Sequence, residues 1–346
     1  MKGIVYWLTA FSLLIAGCGE SGGKHNATKR PAPTAKKQPA AKKQPAAKPA
    51  PKPAKATAKA PAAKPKPPAM FCGRKLTEIK TAFQCTQTVR DLSPVASLVT
   101  LETLILPRLV AGTSLAPLTK VTGLKTLMIR TGTMTSLAPL GALGALEDLS
   151  LRARGAPDLK PLGKLLRLKR LHLYGLRSTN LAPLASLTAL ETLQLMNMQG
   201  LTSLAGVEKL TALRKLALAG TAVSDITPIG ELRALRDLVL AGVNATDIKP
   251  LRKLTALETL DLANAKITSL MPLTKLKKLR CVNVGDNISP EAEARFRRAR
   301  KKVVIKRYGS CTKPPAVKKK KPKATQPKAP SKAKTPPKAS EKPAKK

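Results

Sequence analysis

The sequence is poor in histidine and in aromatic residues. Of 346 residues, two are histidine, and aromatic side chains make up 2%. His25 stands in a stretch without large apolar residues, so His172 is the one histidine that we expect in a folded domain. No nucleophile and acidic residue stand at a familiar spacing from His172 that would make it the base of a catalytic triad. Glycine-rich phosphate loops and paired-cysteine metal motifs are also missing. The sequence therefore predicts a protein that is not an enzyme and that uses no metal and no cofactor.

Acidic residues are scarce as well. The chain has 64 Lys and Arg against 19 Asp and Glu, a formal net charge of +45. Residues 18–69 and 312–346 consist mainly of lysine, alanine and proline and hold 26 of the 64 cations, opposed by Glu20 and Glu341 alone. Because such segments cannot bury a core, we predict that both are disordered tails. Residues 70–289 still carry 29 basic and 15 acidic residues, which favours acidic partners for the folded part too.

A pattern of leucine-x-x-leucine-x-leucine returns every 22 or 23 residues between positions 101 and 284. Its first leucines are Leu101, Leu124, Leu146, Leu168, Leu190, Leu213, Leu235, Leu257 and Leu279. About ten residues after each third leucine, a proline precedes an aliphatic residue, as in Pro183-Leu184, with Gly206-Val207 as the one substitute. The alternating apolar residues of the first segment are typical of a half-buried strand, and the spacing of three after the proline is typical of a tight helical turn. The period predicts a solenoid in which each repeat contributes one strand and one turn.

Small polar residues stand three positions before most of these prolines. They are Asp91, Ser136, Asp158, Asn180, Ser203, Asp225, Asp247 and Ser269. Side chains of this kind accept hydrogen bonds from backbone amides at turns. We therefore expect them to satisfy the amides at the start of each helical turn.

The repeats resemble leucine-rich repeats, and residues 213–229, which read L-x-x-L-x-L-x-x-x-x-V-x-D-I-x-P-I, are similar to the 22-residue internalin-like subclass. The resemblance covers roughly residues 76 to 290. It implies an α/β leucine-rich repeat solenoid with a curved parallel β-sheet on its concave face and short helical or 3-10 turns on its convex face. For function, the family implies protein recognition through the concave face. The chain departs from the family at the ninth repeat position, where an asparagine ladder is usual and this sequence has Gly132, Arg154, Leu176, Thr221, Val243 and Ala265.

The first 17 residues read as a secretory signal peptide, with Lys2 ahead of an apolar run from position 4 to 15 that is short for a membrane span. Residues 15–18, Ile-Ala-Gly-Cys, resemble the bacterial lipoprotein processing box, which implies that Cys18 is lipidated. The alternative is an ordinary signal peptide followed by a chance cysteine. The lipoprotein interpretation predicts an exported protein of the cell envelope, attached to the outer membrane and either periplasmic or surface-exposed.

The segments after the signal peptide are a lipid-anchored linker (18–69), an N-terminal cap with a degenerate repeat (70–100), the leucine-rich repeats (101–289), a C-terminal cap (290–311) and a basic tail (312–346). We expect a cap helix with Ser289 as its N-cap, and an edge strand at 303–305. Four cysteines remain besides Cys18, and they allow three pairings. Because the ends of a solenoid are far apart, the economical choice joins Cys72 to Cys85 and Cys281 to Cys311. Four free thiols are the alternative.

The concave surface can be read from the strand positions that are not leucine. Toward the C-terminal end these are small, namely Ala217, Ala219, Ala241 and Ala263, whereas the middle strands carry larger side chains, Met198 among them. Tyr174 is the only aromatic residue between Val95 and Val284, and tyrosine and arginine are enriched at binding hot spots. We predict a partner-binding site formed by Arg130, Arg152, Arg154, Arg170, His172, Tyr174, Gln194 and Met196. The alternative is that these side chains only solvate a strand face.

Two functions follow from these observations. The first is a protein-binding module that recognises a protein partner with its concave face while a lipid anchor holds it at the membrane. The second is a polycationic structural tether whose lysine-rich tails bind anionic envelope polymers while the solenoid acts as a spacer. Binding of nucleic acid by the tails is physically easy but incidental for an exported protein.

Overall fold

The computed structural model describes residues 69–155, 157–309 and 311. The predictions for the signal peptide, for lipidation of Cys18 and for the two basic tails lie outside these residues. Within the described part of the chain, no helix is long and apolar enough to cross a membrane.

The described residues form thirteen strands, ten 3-10 turns and one α-helix, α1 (Pro290–Ala299). The strands are β1 (Met70–Phe71), β2 (Arg74–Lys75), β3 (Ala82–Gln84), β4 (Thr103–Leu109), β5 (Thr126–Thr133), β6 (Asp148–Gly155), β7 (Arg170–Leu176), β8 (Thr192–Met196), β9 (Lys215–Ala217), β10 (Asp237–Val239), β11 (Thr259–Leu262), β12 (Cys281–Val284) and β13 (Val304–Arg307). The 3-10 turns span Leu76–Glu78, Ser93–Ser97, Ala116–Lys120, Ala138–Ala142, Lys160–Lys164, Ala182–Leu184, Val207–Lys209, Thr227–Glu231, Lys249–Lys253 and Met271–Lys275.

Strands β3 to β13 make one parallel sheet in which each strand pairs with its neighbours in chain order. A 3-10 turn crosses from each strand of the repeat array to the next on the other side of the core. This arrangement confirms the predicted leucine-rich repeat solenoid with one strand and one tight turn per repeat. The remaining strands, β1 and β2, form a separate antiparallel pair at the N-terminal end.

The leucines of the repeat pattern set the register of the sheet. Leu149, Leu171 and Leu193 are direct partners on three adjacent strands and are buried, as are Leu184 and Leu187 of the turn side. Each repeat therefore covers the apolar side chains of the next, and the core runs between the sheet and the turns as one continuous cluster.

The polar residues ahead of the prolines close the turns as predicted. Asp225 Oδ1 accepts a hydrogen bond from the backbone amide of Thr227 at 2.8 Å, two residues along the chain. The same contact to the amide two residues ahead is made by Asp91, Ser114, Ser136, Asp158, Asn180, Ser203, Asp247 and Ser269. The contact gives a hydrogen-bond partner to the first backbone amide of the turn. In most repeats the residue after that amide is proline, which has no N–H that needs a partner.

Both ends of the array are closed by the predicted features. Disulfides join Cys72 to Cys85 and Cys281 to Cys311, with S–S distances of 2.05 and 2.02 Å, so the alternative of four free thiols is wrong. Helix α1 begins after Ser289, whose hydroxyl accepts a hydrogen bond from the backbone amide of Ala292 at 3.2 Å. The predicted edge strand is β13, which pairs in parallel with β12.

At the ninth repeat position Gly132 and Arg154 are exposed, whereas the other residues that replace the family's asparagine are buried and mostly apolar. Leu176, Val243 and Ala265 are buried there, and Thr221 is buried with its hydroxyl donating to the Leu218 carbonyl at 2.9 Å. Hydrophobic contact thus fills the place of an amide ladder in these repeats. Strands β5 and β6 extend to Thr133 and Gly155 and run past this position.

Candidate functional site

All eight residues of the predicted partner-binding site lie on four adjacent strands, β5 to β8. Arg130 is on β5, Arg152 and Arg154 are on β6, and Arg170, His172 and Tyr174 are on β7, with Gln194 and Met196 on β8. Strands β4 to β7 are seven or eight residues long, whereas β9 to β12 have three or four. The site therefore occupies the broad part of the sheet.

Strand register arranges these residues in rows across the sheet. One row consists of Arg130, Arg152, Tyr174 and Met196, each the direct partner of the next. Four adjacent strands span roughly 14 Å at the usual strand spacing. We call this set the tyrosine row. It puts one aromatic ring between an arginine and a methionine.

Tyr174 is held from two sides. The Arg152 guanidinium carbon lies 4.2 Å from the centroid of the Tyr174 ring, which is a cation–π contact. Asn197 Nδ2 donates a hydrogen bond to the Tyr174 hydroxyl at 2.6 Å. Because both ends of the side chain are fixed, the ring has little freedom to lose when a partner packs on it.

Arg170 forms an ion pair within the site. Its guanidinium bonds the Asp148 carboxylate, the partner of Arg170 on the neighbouring strand. Hydrogen bonding to Asp148 raises the pKa of the Arg170 guanidinium above its usual value. Asp148 is half-buried and ion-paired, so it is not a solvated carboxylate of the strand face.

His172 lies in the next row, between Ser150 and Gln194. Its Nε2 atom is buried and has no hydrogen-bond partner among the described residues. Burial lowers the pKa of the imidazole from 6.5 to about 4, with Arg170 acting in the same direction and Asp148 opposing it. The ring is therefore neutral at pH 7 and adds no charge to the site.

Comparison with known proteins gives similarity of fold and nothing at the level of sequence families. No family model and no curated protein matches the chain. The functional domain of InlJ from Listeria monocytogenes, which includes a cysteine ladder, aligns with a TM-score of 0.51 at 18% identity over 67% of this chain and 54% of that one. The chain has the internalin-like leucine-rich repeat fold.

Two further internalins of Listeria monocytogenes align with lower scores. The internalin inlF aligns with a TM-score of 0.47 at 20% identity, over 65% of this chain and 78% of that one. Internalin C2 aligns with a TM-score of 0.46 at 23% identity, over 54% of this chain and 82% of that one. In contrast to the InlJ domain with its cysteine ladder, this internalin-like solenoid has its described cysteines at the two ends, in the disulfides described above.

Met198 was expected on the concave face beside Met196, and this expectation is wrong. The side chain is fully buried in the core. The cause is Asn197, whose φ of +52° interrupts the alternation of the strand and turns the next residue inward. The sequence analysis did not predict a left-handed backbone at Asn197, although asparagine tolerates this conformation better than most other non-glycine residues.

The carboxylates of the C-terminal strands serve contacts between repeats of the internalin-like solenoid. Asp237 accepts a hydrogen bond from the Thr259 hydroxyl at 2.6 Å, and Asp261 accepts one from Asn283 Nδ2 at 2.9 Å. Throughout the described ranges, no three His, Cys, Asp or Glu side chains stand together in a way that could hold a metal ion. The tyrosine row, with the ring of Tyr174 held by Arg152 and Asn197, is the candidate site.

Proposed function

We propose that this protein is a non-enzymatic protein-binding module, displayed on the bacterial cell envelope through a lipid anchor, which recognises a protein partner with its concave surface. Leucine-rich repeat and internalin folds commonly serve as protein-binding modules. The observation that carries the proposal is the tyrosine row, in which Arg152 and Asn197 hold the ring of Tyr174 in place.

The chemistry of the row suggests what kind of surface it takes. Arg130 and Arg154 are exposed cations at its border, while the ring of Tyr174 and the thioether of Met196 are half-buried. This combination of a rigid aromatic side chain with arginine is enriched at interface hot spots. The partner we propose presents an apolar side chain flanked by carboxylates.

Attachment to the envelope is the second part of the proposal, and the sequence supports it. Residues 1–17 have the pattern of a signal peptide, and Cys18 stands in a sequence similar to the lipoprotein processing box. We propose the outer membrane as the location. The proline-rich residues between 18 and 69 would let the solenoid reach on the order of 150 Å from the lipid. Metabolic labelling with a palmitate analogue tests the anchor, because Cys18→Ala should abolish labelling of the protein.

Site-specific photocrosslinking in intact cells tests the concave site. A photoreactive phenylalanine analogue at Met196, in the tyrosine row, should give one discrete protein adduct. The same analogue at Leu166, which is exposed at 60% on the loop after a 3-10 turn, is the matched control and should not give that adduct. Arg152→Ala should remove the adduct from position 196 without lowering the melting temperature by more than a few degrees. An adduct from both positions, or one that survives Arg152→Ala, would count against the tyrosine row.

The alternative function is a polycationic structural tether, favoured by the 26 Lys and Arg that the two tails carry. A tether would bind anionic envelope polymers through these lysines and would lose that retention at high salt. In a Cys18→Ala background, in which no lipid holds the chain, deleting residues 312–346 would then release the protein from envelope fractions, whereas Arg152→Ala would leave retention unchanged. The opposite result supports the concave site.

A further inference from the structure

The C-terminal end of the solenoid carries a basic groove that the concave site does not involve. It lies between residues 277–280 of the last repeat and residues 298–302 at the end of α1, and its volume is about 680 Å³. Six of the nine residues that line it are exposed cations, namely Lys277, Lys278, Arg280, Arg298, Lys301 and Lys302. None of the nine is acidic. We call this feature the cap groove.

The repeat pattern does not account for two of these cations, Lys277 and Lys278. The positions that correspond to Lys278 in the preceding four repeats are all alanine: Ala189, Ala212, Ala234 and Ala256. The positions that correspond to Lys277 are threonine in three of those four repeats, at Thr188, Thr211 and Thr255, and arginine in the fourth, at Arg233. Two adjacent lysines are thus specific to the repeat that faces the end of α1.

Arg300 fixes the two walls of the groove against each other. Its guanidinium donates hydrogen bonds to the backbone carbonyls of Thr274 at 3.0 Å and of Leu276 at 2.6 Å, and longer ones of 3.4 Å to those of Lys277 and Leu279. The oxygen of each carbonyl carries partial negative charge, and without Arg300 it would repel an anion in the groove. Arg300 therefore shapes the groove and also covers groups that would repel a negative ligand.

The remaining cations of the groove are poorly neutralised. Among the described residues, no carboxylate lies within ion-pair distance of Lys277, Lys278 or the three cations at positions 298, 301 and 302. Arg280 is 74% exposed, and its Nε lies 3.8 Å from Glu258, a carboxylate that Arg236 also approaches to 3.9 Å. A concave surface lined by one sign of charge concentrates ions of the other sign.

We propose that the cap groove is a binding site for a linear polymer that carries repeated phosphate groups. Lysine and arginine are the side chains that bind phosphate, lysine as a point charge and arginine through paired N–H groups. Six cations along an open groove suit a chain of charges better than one small anion. No aromatic residue lines the groove, so it has no platform on which nucleic acid bases would stack.

Fluorescence anisotropy with labelled linear inorganic polyphosphate tests the site on the full mature chain at about 150 mM salt. Because the 26 lysines and arginines of the tails would also attract a polyanion, two variants of equal charge are compared. The groove variant carries Lys277→Gln, Lys278→Gln, Lys301→Gln and Lys302→Gln. The control variant carries Lys80→Gln, Lys120→Gln, Lys160→Gln and Lys164→Gln, at exposed lysines elsewhere on the fold. Circular dichroism melting confirms that both variants are folded.

We expect the groove variant to bind polyphosphate roughly tenfold more weakly, with a shallower dependence on salt, and the control variant to stay within about twofold of the parent. An equal loss in both variants, or no loss in either, would overturn the site. Single-stranded DNA of the same charge and vesicles that contain an anionic phospholipid are the two other probes. The proposed ligand class would be wrong if the groove substitutions weakened binding of the DNA or of the vesicles as much as binding of polyphosphate. It would also be wrong if they weakened binding of the DNA or the vesicles and left binding of polyphosphate unchanged.

Discussion

The guanidinium of Arg152 lies over the ring of Tyr174, its direct partner on the neighbouring strand, at 4.2 Å from the ring centroid. The two residues are 22 positions apart in sequence, one repeat length. Since the solenoid stacks equivalent positions of successive repeats, a pair formed in this way is as well defined as a contact within one strand. The arrangement gives the concave face a preformed element before any partner arrives.

A double-mutant cycle on Arg152 and Tyr174 should reveal this contact. We expect Arg152→Ala and Tyr174→Ala to show a coupling of about 0.5–1 kcal/mol in the free energy of unfolding, the usual size of an exposed cation–π pair. Urea denaturation followed by circular dichroism gives the four values. Tyr174→Phe is the control, because it keeps the ring and removes only the hydroxyl that accepts from Asn197, so its coupling with Arg152→Ala should be close to zero. Strictly additive effects of the two alanine substitutions would show that the pair is not energetically linked.

His172 should make the stability depend on pH below about 6.5. Burial lowers the pKa of His172 to about 4 in the folded state, against 6.5 for an exposed imidazole. Above pH 6.5 the ring is neutral in both states and the stability is fully present. As the pH falls toward 4, the unfolded chain takes up a proton that the folded chain does not, and up to roughly 3 kcal/mol is lost.

The measurement is the free energy of unfolding of the parent and of His172→Gln between pH 7.5 and 4.5. The difference between the two proteins isolates the imidazole from the carboxylates, which titrate in both. We expect this difference to shift progressively in favour of His172→Gln as the pH falls from 6.5. A constant difference over the whole range would mean that the imidazole is solvated in the native state.

Much of the fold could be predicted because the leucine pattern occurs nine times in the sequence. The positions of the leucines fix which residues face the core, and the 22-residue interval fixes which residues become partners on adjacent strands, as with Leu149, Leu171 and Leu193. The disulfide pairing followed from the same geometry, since a solenoid keeps Cys72 far from Cys311. A repeated pattern carries tertiary information that a single amphipathic segment does not.

The sequence predicted where the site residues lie in the fold, but it did not predict all of their contacts or their burial. The eight residues lie together on β5 to β8, yet nothing in the local sequence indicated that Asp148 pairs with Arg170 or that Nε2 of His172 is buried. These properties depend on side chains one repeat away. Met198 stands at the ninth repeat position, eight residues after Leu190, where Leu176 and Thr221 are buried as well. The repeat register therefore places it in the core, whereas the alternation of a strand places it on the concave face. The role of the site in recognition stays a prediction.

Asp225 should contribute to stability through the turn that it closes. Its Oδ1 accepts from the backbone amide of Thr227, and hydrogen bonding by Thr227 lowers the pKa of the Asp225 carboxyl. Asp225→Ala leaves this amide without its partner, and we expect a loss of roughly 1 kcal/mol in the free energy of unfolding. Asp225→Asn keeps an oxygen at the same place and should lose less. Ser224→Ala, at the exposed neighbouring position, is the control and should stay within about 0.5 kcal/mol of the parent.

Gly206 replaces the proline that the other repeats place at the start of the turn, and the structure explains why neither alanine nor proline belongs there. Its φ is +98°, and an added Cβ would lie 2.9 Å from the Cα of Ala182 and 3.1 Å from the carbonyl oxygen of Leu181. Its backbone amide donates a hydrogen bond to Glu208 at 2.9 Å. Proline, whose φ is fixed near −65°, would lose this hydrogen bond as well as the backbone conformation.

Gly206→Ala should therefore lower the free energy of unfolding by roughly 2 kcal/mol, and Gly206→Pro by more, although proline is the residue that the repeat pattern favours. Gly144→Ala is the matched control, because its φ is not positive and its added Cβ would meet open space. That substitution should be neutral within about 0.5 kcal/mol or slightly stabilising, since it only reduces the freedom of the unfolded chain. Urea denaturation of the three variants decides the matter: a stabilising Gly206→Pro would mean that this repeat adopts the same turn as the others, in conflict with the left-handed backbone at position 206.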